Sequence, residues 1–437
     1  MMDRRNFIKA SLASAGALTM SSVTACAGSP SSSAKSLSPG QKWPGWKKGH
    51  FQVHFIYTGV GESAFYIFPD GTTMLLDCGD HNAIGRGDLA VQVLPHSGRH
   101  SGEWIARYVE RVNPQGKDVD YMMLSHYHSD HGGGQSFYAG EEIWEGQPYH
   151  FSGFSQAAQT LTFSKAFDRC YPEMNDPIEL PDSFDGGCPA HMKQFYRRME
   201  KERGMKIEKF QVGAVNQVKM LRDAASYPEF SIRNICSNGR IAAPDGTVRD
   251  LYKDWIEREH PTSINENALS LGMIISYGPF RFYTAGDFSN GFKLADGTKV
   301  EAEDLLGEVC EPVDVAKVNH HGHHSMYPGL VKALRAQVYV SCVWDQLHNL
   351  PDTLERLTDR SSYDGDRVLF AGVYPPERRA RDDGQPWQDI IDHSCYDGSH
   401  IVLDVEPSGK KFSVTTLSAS DESMTVRSHK EFVTTDK

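Results

Sequence analysis

Apolar and polar residues alternate along residues 51–58 (FQVHFIYT), the period-two pattern of a strand. Two more short apolar runs, 64–68 and 72–77, flank Pro69-Asp70-Gly71 and read as a hairpin. From Ser101 the period becomes helical, with Trp104, Ile105, Tyr108, Val109 and Val112 sharing one face. Residues 119–124 return to a strand. From 135 to about 261 the apolar periodicity weakens. Helical stretches such as 190–203 stand out, so this region reads as a largely helical insertion, either a cap over a site or a peripheral decoration. Strands resume at 268–276 and 280–285 around a Tyr277-Gly278-Pro279 turn, then at 313–319 and 337–343, with a short helix at 328–335 between the last two. Further β-runs lie near 367–370, 400–405 and 412–416, and residues 421–437 read as a C-terminal tail. Strands alternating with helices predict a layered α/β architecture.

The strand at 119–124 ends in Ser125-His126-Tyr127-His128-Ser129-Asp130-His131-Gly132-Gly133-Gly134. Three imidazoles and a carboxylate within six residues form a ligand set suited to a borderline divalent cation such as zinc. His126 and His128, at alternate positions, can face one metal. Asp130 and His131, beyond the turn, can face a second. Other strand ends carry similar chemistry. Thr284-Ala285-Gly286-Asp287 places an aspartate where it can bridge two ions, and 315–322 (VAKVNHHG) ends in paired histidines. Asp77 closes the 72–77 run and is placed to orient a ligand histidine from behind.

Composition narrows the class. The chain has 437 residues, 39% of them hydrophobic and 23% charged, enough for a large core. The net charge of −12 speaks against a long nucleic-acid footprint, which needs clustered Lys and Arg. Eight cysteines without a CxxC pair argue against a thiolate zinc site. Cys170 and Cys188 are a candidate disulfide, whereas Cys78 and Cys342, in apolar runs, read as buried free thiols. At the N-terminus, Asp3-Arg4-Arg5-Asn6-Phe7-Ile8-Lys9 resembles a twin-arginine export signal over residues 1–25. Val23-Thr24-Ala25-Cys26 resembles a lipoprotein cleavage box, with Cys26 as the lipidated membrane attachment, and the Ser/Pro/Gly-rich residues 26–49 read as a flexible tether. The expected location is the cell envelope or periplasm.

In this order, the hairpin, Leu75-Leu76-Asp77-Cys78-Gly79, the HxHxDH loop, Asn265-Glu266-Asn267, Gly286-Asp287 and Lys317-Val318-Asn319-His320-His321-Gly322 resemble the metallo-β-lactamase fold. They are most similar to the branch of competence DNA-uptake hydrolase domains and phosphorylcholine esterase, whose opening segment is matched by residues 53–64. The resemblance implies an αββα sandwich over residues 50–420. It also implies a binuclear metallohydrolase whose shared hydroxide attacks a phosphodiester. His126 and His128 would hold one metal, and Asp130, His131 and His321 the other, with Asp287 bridging; zinc is the first choice and manganese the second. Asp130 would handle the proton, while His320 and Lys317 would contact an anionic substrate. Between the two histidines, His321 is favoured as ligand because it shares an alternation phase with Lys317 and Asn319. Asn265 and Asn267 would stand where a third histidine for the first metal is usual. His348 would touch substrate from the rim, and His323 and His324 would line the mouth or lie in a solvated loop. The alternatives are a competence-type DNA nuclease and a non-catalytic, metal-bearing surface lipoprotein.

Overall fold

Alternation along short β-runs determines the layering. In Phe51–Phe55 the odd residues Phe51, Val53 and Phe55 enter a core shared with Ile232, Met273, Ile275, Phe282, Val338 and Val340 of other strands. Phe65, Ile67, Leu75, Val119 and Met122 point the other way, against Ile105, Tyr108 and Val109 of the helix Ser101–Val112 and Phe195 of the helix Cys188–Arg203. A third core joins Ile274, Tyr283, Ala316 and Tyr339 to helices Ala302–Gly307, Pro328–Leu334 and Pro351–Thr358. Two sheets face each other and each carries helices on its outer face, which is the αββα sandwich expected of a metallo-β-lactamase fold. The computed structural model describes residues 37–80, 92–135, 140–289, 291–293, 299–345, 348–361, 363, 365, 367–373 and 398–435. Residues 1–36, and with them the expected export signal, Cys26 and most of the expected tether, lie outside the described residues.

One sheet has nine strands, in the order Val426–Val433, Lys411–Ser418, Ser399–Val405, Phe51–Phe55, Ala64–Ile67, Thr73–Leu76, Asp118–Met123, Thr162–Asp168 and Lys206–Lys209. The other has eight: Val248–Asp250, Arg240–Ala242, Phe230–Ser237, Gly272–Tyr277, Phe280–Thr284, Val315–Lys317, Val338–Ser341 and Val368–Ala371. Thr73–Leu76 pairs in parallel with Asp118–Met123, and Phe280–Thr284, Val315–Lys317 and Val338–Ser341 form a parallel run in the second sheet. Parallel strands bring their carboxyl ends to one edge, the usual place for a site in an open α/β sheet. Asp77, the HxHxDH loop, Asp287 and the His320/His321 pair all follow such ends.

Three expectations are corrected. Residues 135–261 are not a largely helical appendage: they supply the helix Cys188–Arg203 but also strands that extend both sheets, Thr162–Asp168 in one and Phe230–Ser237 in the other. Their apolar pattern is weak because several of these strands are short and border the sheets. Within the expected tail, Val426–Val433 is an edge strand paired antiparallel to Lys411–Ser418, with Phe432 stacked on Phe412. Cys170 and Cys188 do not pair, and all six described cysteines are free, Cys78 buried among them; Cys395 lies outside the described residues. Among the described residues no helix is long and apolar enough to cross a membrane.

Candidate metal centre

The histidine loop is held by backbone bonds before any ligand is considered. Asp77 N–H donates to Met123 O (2.9 Å), Cys78 N–H to His131 O (2.7 Å), and Ser125 N–H to Asp77 Oδ1 (2.7 Å). Close approach makes Gly79 obligatory, because a Cβ there would lie 1.8 Å from Asp130 O. At Gly133 the chain turns with φ +83°, and a Cβ would meet Gly153 N at 2.8 Å.

Hydrogen bonds on the outer ring nitrogens set the tautomers of two histidines. His131 Nδ1 lies 2.8 Å from Asp77 Oδ2, and His321 Nδ1 lies 2.9 Å from Cys342 O and 3.3 Å from Glu62 Oε2. These oxygens only accept, so both Nδ1 atoms carry the proton and both Nε2 lone pairs face inward. The two Nε2 atoms are 3.3 Å apart; Asp287 Oδ2 lies 3.2 Å from each, and Asp130 Oδ2 lies 3.2 Å from His321 Nε2. Facing lone pairs and carboxylates in a buried space require a cation between them. Protons can play that part: burial opposes charging of His321, but Asp287, Asp130 and Glu62 outweigh it and raise it to about 9. His131 is raised well above its ordinary value against the same burial, chiefly by Asp287, Asp130 and Asp77. The donor set and its inward geometry fit a divalent ion.

Beside it, His126 Nε2 lies 3.0 Å from His128 Nδ1 and 4.0 Å from Asp287 Oδ2. Burial, then His131 and His128, hold His126 well below its ordinary pKa, so its ring is neutral, the form that binds metal. Asp287 thus faces His126 as well as His131 and His321. Among the described residues no further histidine completes the second group. His191 bonds Ser152 and Ser155 on the far side of the loop, and Asn265 only closes its own turn, accepting from Asn267 N–H (3.0 Å).

Residues 57–136 match the metallo-beta-lactamase superfamily. The matched stretch of that superfamily contains Glu62, Asp77 and the whole HxHxDH loop, whereas Asp287 and the His320/His321 pair lie beyond it. Comparison with curated proteins returns no match.

The remaining expected residues fall in three places. Lys317, expected to meet substrate, is 1% exposed and does not line the cleft. Its Nζ donates to Gly286 O (2.6 Å) and pairs with Glu62 Oε2 (2.9 Å) and Asp287 Oδ1 (3.5 Å), so it braces the centre from behind. His320 borders the cleft, but Asn267 Nδ2 lies 3.0 Å from its Nε2 and Ser289 Oγ 3.1 Å from its Nδ1, which commits both ring nitrogens. The alternation argument for His321 over His320 does not apply: residues Asn319–Gly322 form a tight turn, with φ of 46° at His320 and 51° at His321. That turn, rather than strand phase, sends the two rings apart. His323 and His348 line a cleft of roughly 250 Å³, and His324, exposed and not among the lining residues, faces Asp352.

Several site residues carried no local signal. Glu62, in the turn before Ala64–Ile67, backs His321 and joins the cluster formed by His131, Asp287 and His321. Arg169 and Glu266 form a buried two-point ion pair (2.7 and 2.6 Å), and Glu266 Oε1 accepts Tyr127 N–H (2.9 Å), pinning the histidine loop. The 135–261 region reaches the cleft through Phe184, stacked on His128, and Asp185, which accepts Ser129 N–H. Glu266 was visible only as the middle of Asn265-Glu266-Asn267, and Glu62 as a charge between glycine and serine.

The His320–His321 turn rests on Asn319, whose Nδ2 donates to Glu303 Oε1 (2.7 Å), while Glu303 Oε2 accepts Tyr327 N–H (2.9 Å). Burial, against these hydrogen bonds, pushes Glu303 up to about 7 from 4.5. The folded chain therefore holds this proton over a window in which the unfolded chain releases it, and the contribution of Glu303 to stability falls as pH rises from about 4.5 to about 7. Glu303→Gln is expected to flatten that slope in a pH series of denaturation midpoints. An unchanged slope would show that Glu303 is charged in the folded protein.

Proposed function

We propose that this chain is an exported, metal-dependent phosphodiesterase of the branch that includes competence hydrolase domains and phosphorylcholine esterase. The observation that carries the hydrolase reading is the convergence of His131, His321, Asp130 and Asp287 on one point, with His126 facing the same Asp287 and His128 beside His126. Two divalent ions held there, zinc or manganese, would supply Lewis-acid polarisation of a phosphoryl oxygen and lower the pKa of water. The protein's own work is then to hold the ligands and manage protons. Asp77 and the Cys342 carbonyl accept the outer N–H bonds of His131 and His321 and so turn the inner nitrogens toward the ions, Lys317 offsets the charge of Glu62 and Asp287, and Asp130, more exposed than Asp287, is placed to take up a proton.

The cleft favours a small ester over a long polyanion. Among the described residues, those lining it include no Lys or Arg; they are histidines, aspartates and Trp344. A nuclease needs cations along a strand. Export through residues 1–25 and anchoring at Cys26 rest on the sequence motifs, and an envelope-linked phosphodiester is the matching substrate class.

Protein beginning after Cys26, loaded with Zn²⁺ or Mn²⁺, is expected to hydrolyse bis-p-nitrophenyl phosphate far faster than single-stranded DNA and to stop when a chelator is added. Full metal loading without hydrolysis of any phosphodiester would overturn the reading. Preferential digestion of DNA would replace it with the nuclease.

A further inference from the structure

We propose that a groove on the helix Cys188–Arg203 binds a remote, anionic and hydroxyl-rich part of the substrate, a sugar or polyol phosphate. The proposal deepens the phosphoester reading and rests on it for the link to the metal centre. The cleft at the metal centre is small, roughly 250 Å³, and has no Lys or Arg among the described residues that line it. The groove is larger, roughly 730 Å³, within the range of small-molecule sites. One short segment borders both: Asp185 lines the cleft and Asp182 the groove. Three residues of chain span at most about 11 Å, so a substrate a few units long reaches from one to the other. Gln135 also lines the groove, directly after the Gly132-Gly133-Gly134 end of the histidine loop.

The walls of the groove are fixed. The hairpin of Glu141–Trp144 and Gln147–His150 is tied to the helix: Gln194 Nε2 donates to Pro148 O (2.9 Å), Trp144 Nε1 donates to Glu202 Oε1 (2.8 Å), and the Arg198 guanidinium lies 4.3 Å from the Tyr149 ring centre. Tyr171 is held by its hydroxyl, which donates to Glu200 Oε2 (2.7 Å). The lining chemistry selects the ligand. Lys193, Arg197, Arg198, Lys201 and Arg203 against Glu200 and Glu202 make this helix basic in a chain of net charge −12. Two of those cations, Lys193 and Arg197, line the groove. Their partners Asp182 and Glu145 form surface pairs, the second at 3.5 Å, and such pairs are weak enough to give way to an anionic ligand. The side-chain amides of Gln135 and Gln147 each donate and accept, as sugar hydroxyls do. The Tyr171 ring adds an apolar surface for the C–H face of a sugar.

Calorimetric titration of the metal-loaded protein with glucose 6-phosphate tests the groove. Wild type is expected to bind one molecule per chain more than the double variant Lys193→Gln/Arg197→Gln, which loses the cations of the groove and keeps the cleft. At the groove site, glucose 6-phosphate is expected to bind at least about 10-fold more tightly than inorganic phosphate, through hydrogen bonds to its hydroxyls. The two substituted side chains are 30% and 66% exposed, so the variant is expected to fold, which its denaturation midpoint checks. Equal stoichiometry in the two proteins would overturn the proposal. Equal affinity of the groove for the two ligands would overturn it too, by reducing the groove to an unselective basic patch. If glucose 6-phosphate fills the groove but no phosphodiester is hydrolysed, the functional reading fails and the groove assignment stands.

Discussion

Asp287→Asn is expected to lower metal affinity by at least about 100-fold and to abolish hydrolysis to within about a thousandth of wild type, with the fold retained. Removing an outer partner of a ligand already costs about 10- to 100-fold in metal affinity. Asp287 is no outer partner: its Oδ2 lies 3.2 Å from the inward nitrogens of both His131 and His321 and 4.0 Å from that of His126. Despite complete burial, which favours the neutral acid, His131 and His321 hold its carboxyl well below the usual range. It is therefore the shared negative charge of the cluster, and asparagine keeps its size while removing that charge. Equilibrium dialysis against Zn²⁺ with elemental analysis reads the affinity directly. Two ions per chain at wild-type affinity in Asp287→Asn would refute the bridging role.

Arg169→Met is expected to destabilise the metal-loaded protein by about 3–5 kcal/mol, read from urea denaturation. Arg169 is 1% exposed and Glu266 2%, so the substitution strands a carboxylate in the interior. It also removes the bonds from Arg169 Nη1 to Asp176 O (2.8 Å) and Asn238 Oδ1 (3.0 Å). The damage reaches the metal centre, because Glu266 Oε1 accepts the Tyr127 N–H that lies between His126 and His128. Adding Glu266→Gln should recover a large part of the loss: the glutamine carbonyl still accepts from Tyr127, and the uncompensated buried charge is gone. A loss below about 1 kcal/mol in the single variant would show that the ion pair does not hold this loop.

The two predictions differ in how their residues could be read. Asp287 was legible because it follows a glycine at the end of a β-run, and a strand end is a local feature. Arg169 was not, because nothing near it in the chain points to Glu266, its partner across 97 positions. The hairpin, the helix Ser101–Val112 and the strand Asp118–Met123 were legible for the same reason as Asp287. Periods of two and 3.6 residues are written within a few residues of each other. Residues 135–261 lacked such a period, and their strands are specified by the sheet edges they join. Lys317 read as a substrate contact from its closeness to the His320/His321 pair, but its direction was decided by Glu62, a residue on the other sheet's side of the sandwich.

The sequence by itself determined the ligand chemistry: the HxHxDH loop, Asp287 and the histidine pair sit at strand ends because glycines and short apolar runs place them there. Tertiary structure alone decided which lone pairs meet. Asp77, Glu62 and the Cys342 carbonyl turn His131 and His321 inward, and Asn267 and Ser289 occupy His320. A hydrogen bond acts over about 3 Å and is indifferent to separation along the chain. The tautomer of each imidazole therefore depends on partners that only folding brings within reach.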